Sequence, residues 1–175
     1  MQTDVLAPKI LKVKTFTLYL LAILTTFYIS IGIFHLICPF DQHFDTVTYA
    51  KYWKIVDGYM GRRMSVFVPI WLLVFILNLV LFFSSWRRSP IFWILLSCFI
   101  LLMLNILFTI KEQIPINNYF QSLDVNNLTS EQISKVQGFR DQTGENFSVR
   151  GAMVVVIFLL IISTPYLYRK QRQKL

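Results

Sequence analysis

The chain has 175 residues, 55% of them hydrophobic and only 15% charged, with a mean hydropathy of +0.57. Soluble domains carry about 25% charged residues, so this composition excludes an ordinary water-soluble globule, and its hydrophobicity excludes disorder. The formal charge of +8 would point to nucleic acid only if the cations formed a patch on a soluble face.

A bilayer core of about 30 Å takes roughly 20 apolar residues as a helix, and four charge-free stretches approach that length. The first is 16–38, preceded by a basic tail, 1–15, with Lys9, Lys12 and Lys14. A cleaved signal peptide has an apolar region of about 7–15 residues and a small-x-small cleavage site. This run is longer and has no such site after it, which predicts an uncleaved first helix. Loop 39–65 follows, in which Tyr49, Tyr52, Trp53, Val56 and Met60 recur at helical spacing. That pattern predicts a short amphipathic helix on the membrane surface or over the bundle mouth.

The second span, 66–86, holds 15 Leu, Ile, Phe or Val in 21 residues, and the third, 91–110, holds 14 in 20. Either can carry its single Asn. A hairpin with Arg87 and Arg88, closed by Ser89-Pro90, joins them. Loop 111–150 contains a capping-box pattern, Thr129-Ser-Glu-Gln132, before Ile133, Val136 and Phe139. Gly138 and Gly144 predict a break in that helix before the fourth span. That span, 151–168, is the weakest, with 10 strongly apolar residues in 18. The tail 169–175 is basic. Backbone groups in lipid must be satisfied internally, so the expected architecture is an all-α, four-transmembrane-helix bundle with short amphipathic helices in two outer loops.

The two tails and the hairpin carry nine basic residues and one acid, Asp4, whereas the two long loops carry eight of each. The positive-inside rule then predicts cytoplasmic termini, outer loops 39–65 and 111–150, and a plasma (bacterial inner) membrane location. Nucleic acid is thereby excluded as a partner, and the lipid bilayer takes its place. Tyr49, Tyr52, Trp53, Trp86, Trp93, Tyr166 and Tyr168 fit an interfacial aromatic belt.

Chemistry-bearing residues are few. Cys38 and Cys98 belong at depths too different for a disulfide, and bis-His haem ligation fails because His35 alone lies within a span. His35 and His43, even with Asp41 or Asp45, make a poor metal site, so neither metal nor cofactor is expected. Intramembrane polar residues say more, because they are costly outside the bundle interior. Thr25, Tyr28, Gly32 and His35 share one face of the first span. Asn105, Thr109 and Glu112 share one face of the third. Asn117 and Asn118 follow the third span and Arg150 precedes the fourth. This predicts a polar pocket in the outer half of the bundle, floored by Asn105 and rimmed by His35, Glu112, Asn117 and Arg150, with interhelical hydrogen-bond glue as the alternative. The glue reading is preferred for Asn78, and Ala22, Thr26 and Ser30 read as a packing strip.

Pro39 after the first span, Pro115-Ile116-Asn117 after the third, and Asn146-Phe-Ser-Val-Arg150 entering the fourth resemble the anthrone oxygenase-like small four-helix membrane proteins. The resemblance covers about residues 15–168. It implies oxidation of polycyclic phenolic substrates without an evident cofactor in a few members. Many members carry a Trp and a His ahead of the Arg, where this chain has Phe139 and the stretch Asn146–Ser148.

Three readings follow. A cofactor-independent oxygenase acting on a lipophilic aromatic substrate would use His35 as base, with Asn117 and Arg150 steadying a phenolate. A non-catalytic lipid- or small-molecule-binding protein would use the same pocket: Tyr28, His35, Asn105, Thr109, Glu112, Asn117 and Arg150. An accessory subunit would dock a larger membrane complex through the outer loops. The sequons Asn127-Leu-Thr129 and Asn146-Phe-Ser148 matter only in a eukaryotic source.

Overall fold

The computed structural model describes residues 8–37, 43–85 and 89–173, with side chains in the first segment from residue 10 to residue 30. These residues form five α-helices: α1 (Pro8–Ile37), α2 (Thr46–Phe83), α3 (Pro90–Phe108), α4 (Ile114–Ser122) and α5 (Ser130–Arg172). A π turn, Thr109–Gln113, joins α3 to α4 without a break. No strand occurs among the described residues.

The helix starts are set by side chains that satisfy orphan amides. Asp45 caps α2, accepting from the amides of Val47 at 2.9 Å and Thr48 at 3.0 Å. Ser89 caps α3, with Pro90 in the first turn where no amide is missed. Thr129 and Gln132 form the capping box of α5: Thr129 Oγ1 accepts the Gln132 amide and Gln132 Oε1 accepts the Thr129 amide.

Four helices are long and apolar enough to cross a membrane, which is the architecture of a multi-pass membrane protein. α1 packs between α2 and α5, and α3 packs between the same two, so the four close into a ring. Leu18, Leu21, Trp71, Phe75, Phe82, Leu95, Leu102, Ile157 and Ile161 fill its centre. Phe16, Ile23, Phe27, Leu73, Val80, Leu107 and Leu159 face outward, more than half exposed, as lipid-facing residues should be. The first turns of α1, the end of α2 with the start of α3, and the end of α5 share one end of the ring, where Ser89 Oγ donates to Gln171 Oε1 at 3.0 Å. Pro165 inside α5 cannot donate to the carbonyl of Ile161, and the Thr164 hydroxyl fills that acceptor at 2.7 Å.

The outer segments differ from expectation. The residues expected as a separate surface helix are the first turns of α2, whose 38 residues make a rod of about 57 Å. α5, with 43 residues, is about 65 Å long and runs through Gly138 and Gly144. Both lengths far exceed a bilayer core of about 30 Å, so these helices project from the bundle as a three-helix head with α4. Tyr49, Ala50, Trp53, Ile116, Phe120, Leu123 and Val136 make the head's own core. Hydropathy ends a span at its first charge, but the helix continues because the apolar stripe continues into this second core. Tyr49 and Trp53 are therefore buried there and Tyr168 packs on Phe82, while Trp93 and Tyr166 are exposed. Trp86, Arg87 and Arg88 lie outside the described residues.

Candidate functional site

Polar side chains form a column where bundle and head meet. Its lower tier lies inside the ring. Asn105, almost wholly buried, donates through Nδ2 to the carbonyl of Arg150 at 3.2 Å and accepts from the Tyr28 hydroxyl at 3.5 Å. Thr109 Oγ1 donates to the Asn105 carbonyl at 2.8 Å. Tyr28 stacks on Trp71, whose indole N–H donates to Thr25 Oγ1 at 3.1 Å. Three helices, α1, α3 and α5, are thus tied at one level.

The upper tier is centred on Asn117. Its Oδ1 accepts from Trp53 Nε1 at 3.2 Å and from Gln113 Nε2 at 2.9 Å, and its Nδ2 donates to Asp57 Oδ1 at 2.6 Å. Gln121 Nε2 donates to the other Asp57 oxygen at 3.0 Å and to the Lys54 carbonyl at 2.9 Å. Asn146 Nδ2 reaches Gln113 Oε1 at 3.4 Å, which brings α5 into the network.

The π turn sets which side chains point inward. Pro115 has no amide for the Lys111 carbonyl and its ring would crowd that carbonyl in an unbroken α-helix. The helix widens just before it, and Ile114 N–H bonds back to the Thr109 carbonyl. The extra residue per turn buries Gln113 to 2% exposure. Glu112, expected on the inner stripe below Asn117, is instead turned out beside Lys111, with 3.7 Å between charges. Such π turns recur at functional sites.

α5 supplies the other wall. Thr143, Asn146 and Arg150 fall at i, i+3 and i+7, one helical stripe. The Thr143 hydroxyl, in a side chain only 2% exposed, and Arg150 Nε make no hydrogen bond among the described residues. The Arg150 guanidinium lies 5.6 Å over the Phe147 ring. Two buried polar atoms without partners on one stripe stand out, since about nine in ten buried polar groups are paired.

Of the expected pocket residues, Tyr28, Asn105, Thr109 and the Arg150 backbone come together, and Asn117 does not join them. It stands twelve residues beyond Asn105, about 18 Å along the axis, so the polar residues form two tiers rather than converging at one depth. The α1 backbone carries His35 seven residues past Tyr28, about 10 Å toward the head; its side chain, and all of Cys38, Pro39 and Asp41, lie outside the described residues. Trp53, Asp57, Gln113, Gln121, Thr143 and Asn146 were not anticipated. The i, i+3, i+7 stripe on α5 was a readable signal for Thr143 and Asn146, whereas the rotation that buries Gln113 had only Pro115 to announce it. Asn78 acts as glue: its Nδ2 donates to the carbonyls of Thr17 at 3.1 Å and Val74 at 2.8 Å. Thr26 and Ser30 face outward rather than packing, each hydroxyl bonded within α1.

No family model matches the chain, and neither a curated protein nor a solved structure does.

Proposed function

We propose that this protein binds a lipophilic small molecule bearing hydroxyl or carbonyl groups, held between the two polar tiers where bundle meets head. The observation that carries the reading is the pair of buried, unpartnered atoms on α5, Thr143 Oγ1 and Arg150 Nε. Each buried unmet group costs about 1–3 kcal/mol, and a ligand oxygen within reach would recover that cost. The outer surface of the ring is lipid-facing, so an apolar ligand can arrive through the bilayer. The charge count supports a plasma (bacterial inner) membrane protein with cytoplasmic termini, which puts the head and the site on the outer side.

Native mass spectrometry of the protein purified in mild detergent tests the binding. A retained small molecule that is lost in Thr143→Val and Arg150→Met supports it. A protein that carries none from any membrane extract, with both variants as stable as the parent, overturns it.

A catalytic reading is favoured by one observation. Two of the three elements that carry the resemblance to anthrone oxygenase-like proteins, Pro115-Ile116-Asn117 and Asn146–Arg150, are joined through Gln113. In that reading His35 is the base, Arg150 steadies the phenolate, and Asn117 offers its second amide N–H. Oxygen uptake with anthrone- or quinol-like compounds tests it, and unchanged uptake in His35→Ala with Arg150→Ala removes the assignment. The docking alternative draws on Ile55 and Tyr59, about 60% exposed on the head; recovery of a stoichiometric membrane partner would favour it.

A further inference from the structure

At the termini end, the first turns of α1 and the last turn of α5 enclose a groove of about 500 Å³, lined by Leu11, Lys12, Thr15, Phe16 and Arg172. It lies far from the polar tiers. Leu11 and Phe16 give it apolar walls, and Phe16 continues into the exposed row Tyr19, Ile23 and Phe27 on the same helix. Lys12 and Arg172 stand exposed at its mouth. Thr15 contributes no free donor, because its hydroxyl bonds to the Leu11 carbonyl at 3.0 Å.

The charges that the described residues place around this groove are of one sign. Lys14 is nearly buried two residues from Lys12, its ammonium 5.0 Å from the centre of the Phe82 ring. Arg169 and Lys170 lie on the preceding part of the last turn of α5. Among the described residues every Asp and Glu belongs to the head end, at positions 45, 57, 112, 124, 131, 141 and 145. A cationic mouth over an apolar wall at the membrane edge, with no Asp or Glu near it among the described residues, matches a phosphate joined to an acyl chain.

We infer that this groove is a binding site for an anionic glycerophospholipid, its phosphate between Lys12 and Arg172 and one acyl chain along Leu11 and Phe16. Arg172 offers a planar fork for two phosphate oxygens and Lys12 a mobile point charge. A zwitterionic head group would bring its own ammonium against these two cations. The site therefore selects lipids of net negative charge.

The full chain in detergent micelles, mixed with equal amounts of phosphatidylglycerol and phosphatidylcholine of identical acyl chains, provides the test by native mass spectrometry. Phosphatidylglycerol adducts should exceed phosphatidylcholine adducts by about tenfold. Lys12→Gln with Arg172→Gln should bring the ratio near one, with an unchanged thermal transition because both side chains are exposed. Lys51→Gln with Lys135→Gln, which removes two charges from the head, should leave the ratio as in the parent. Equal retention of the two lipids by the parent overturns the site. So does an equal loss of preference in both double variants, which would show only net charge. Displacement of the lipid by excess inorganic phosphate would show a bare anion site and overturn the lipid assignment.

Discussion

Asn117 donates its side-chain amide to Asp57 across 2.6 Å, and this bond fastens α4 to α2 just above the bundle. The carboxylate takes its second bond from Gln121, and Asn117 takes two from Trp53 and Gln113. Removing Asn117 takes one bond from each of three partners at once and leaves the Trp53 indole N–H without its acceptor. Asn117→Leu should lower stability by about 1–3 kcal/mol, and thermal unfolding followed by Trp fluorescence would report it. A change within a few tenths of a kcal/mol would mean that water replaces the amide freely.

The lower tier should behave differently. Asn105 joins α3 to α1 and α5 by two side-chain bonds of 3.5 and 3.2 Å, both long. Interhelical bonds in membranes average about 0.6 kcal/mol. Tyr28→Phe should therefore cost about 0.5 kcal/mol, and Asn105→Leu about 1 kcal/mol, in urea or thermal unfolding in detergent. A larger loss for Tyr28→Phe than for Asn105→Leu would contradict the assignment of Asn105 as the hub.

The π turn makes a prediction that hydropathy would reverse. Gln113 is buried with both ends of its amide engaged, while Glu112 is partly exposed. Gln113→Leu should destabilise the head by about 1–3 kcal/mol. Glu112→Gln should fall within about 0.5 kcal/mol of the parent. Equal effects would place both side chains at the surface.

At the start of α2 the Asp45 carboxyl lies below the usual carboxylate range, held there first by the Thr48 hydroxyl and then by the Thr48 and Val47 amides. A depressed folded-state pKa adds stability that is present above the unfolded value and lost as pH falls through the folded one. The protection of the Val47 and Thr48 amides against hydrogen exchange, taken relative to the intrinsic rate at the same pH, should hold at neutral pH and fall only in acid below the usual carboxylate range. Asp45→Asn should retain a cap and flatten that acid dependence.

Much of the fold was legible because burial in lipid writes itself into long charge-free runs. The four spans, the Thr129-Gln132 capping box and the Ser89-Pro90 helix start follow from chemistry within a few residues. The head was not legible in this way. Val136 stands more than eighty residues from Tyr49 and Trp53, and they meet only because two helices outrun the membrane. Gly138 and Gly144 read as breakers, yet each has open space beside it and the helix tolerates them. Glycine costs about 1 kcal/mol relative to Ala in a helix, less than the core of Tyr49, Trp53 and Phe120 returns. Asn105 was found in the sequence because an amide is rare inside a span, and Arg150 because it stands at the mouth of the fourth. Asp57 was passed over because polar residues are ordinary in a loop, and Asn146 entered only through the resemblance and as a sequon. Only the tertiary pairing of α2, α4 and α5 gives them partners.

The most direct measurement is an experimental density map of the junction at a resolution that shows ordered small molecules. The account predicts non-protein density of small-molecule size between the tiers, within hydrogen-bonding distance of Thr143 Oγ1 and Arg150 Nε. Both atoms satisfied by protein groups in a closed, tightly packed junction would contradict it.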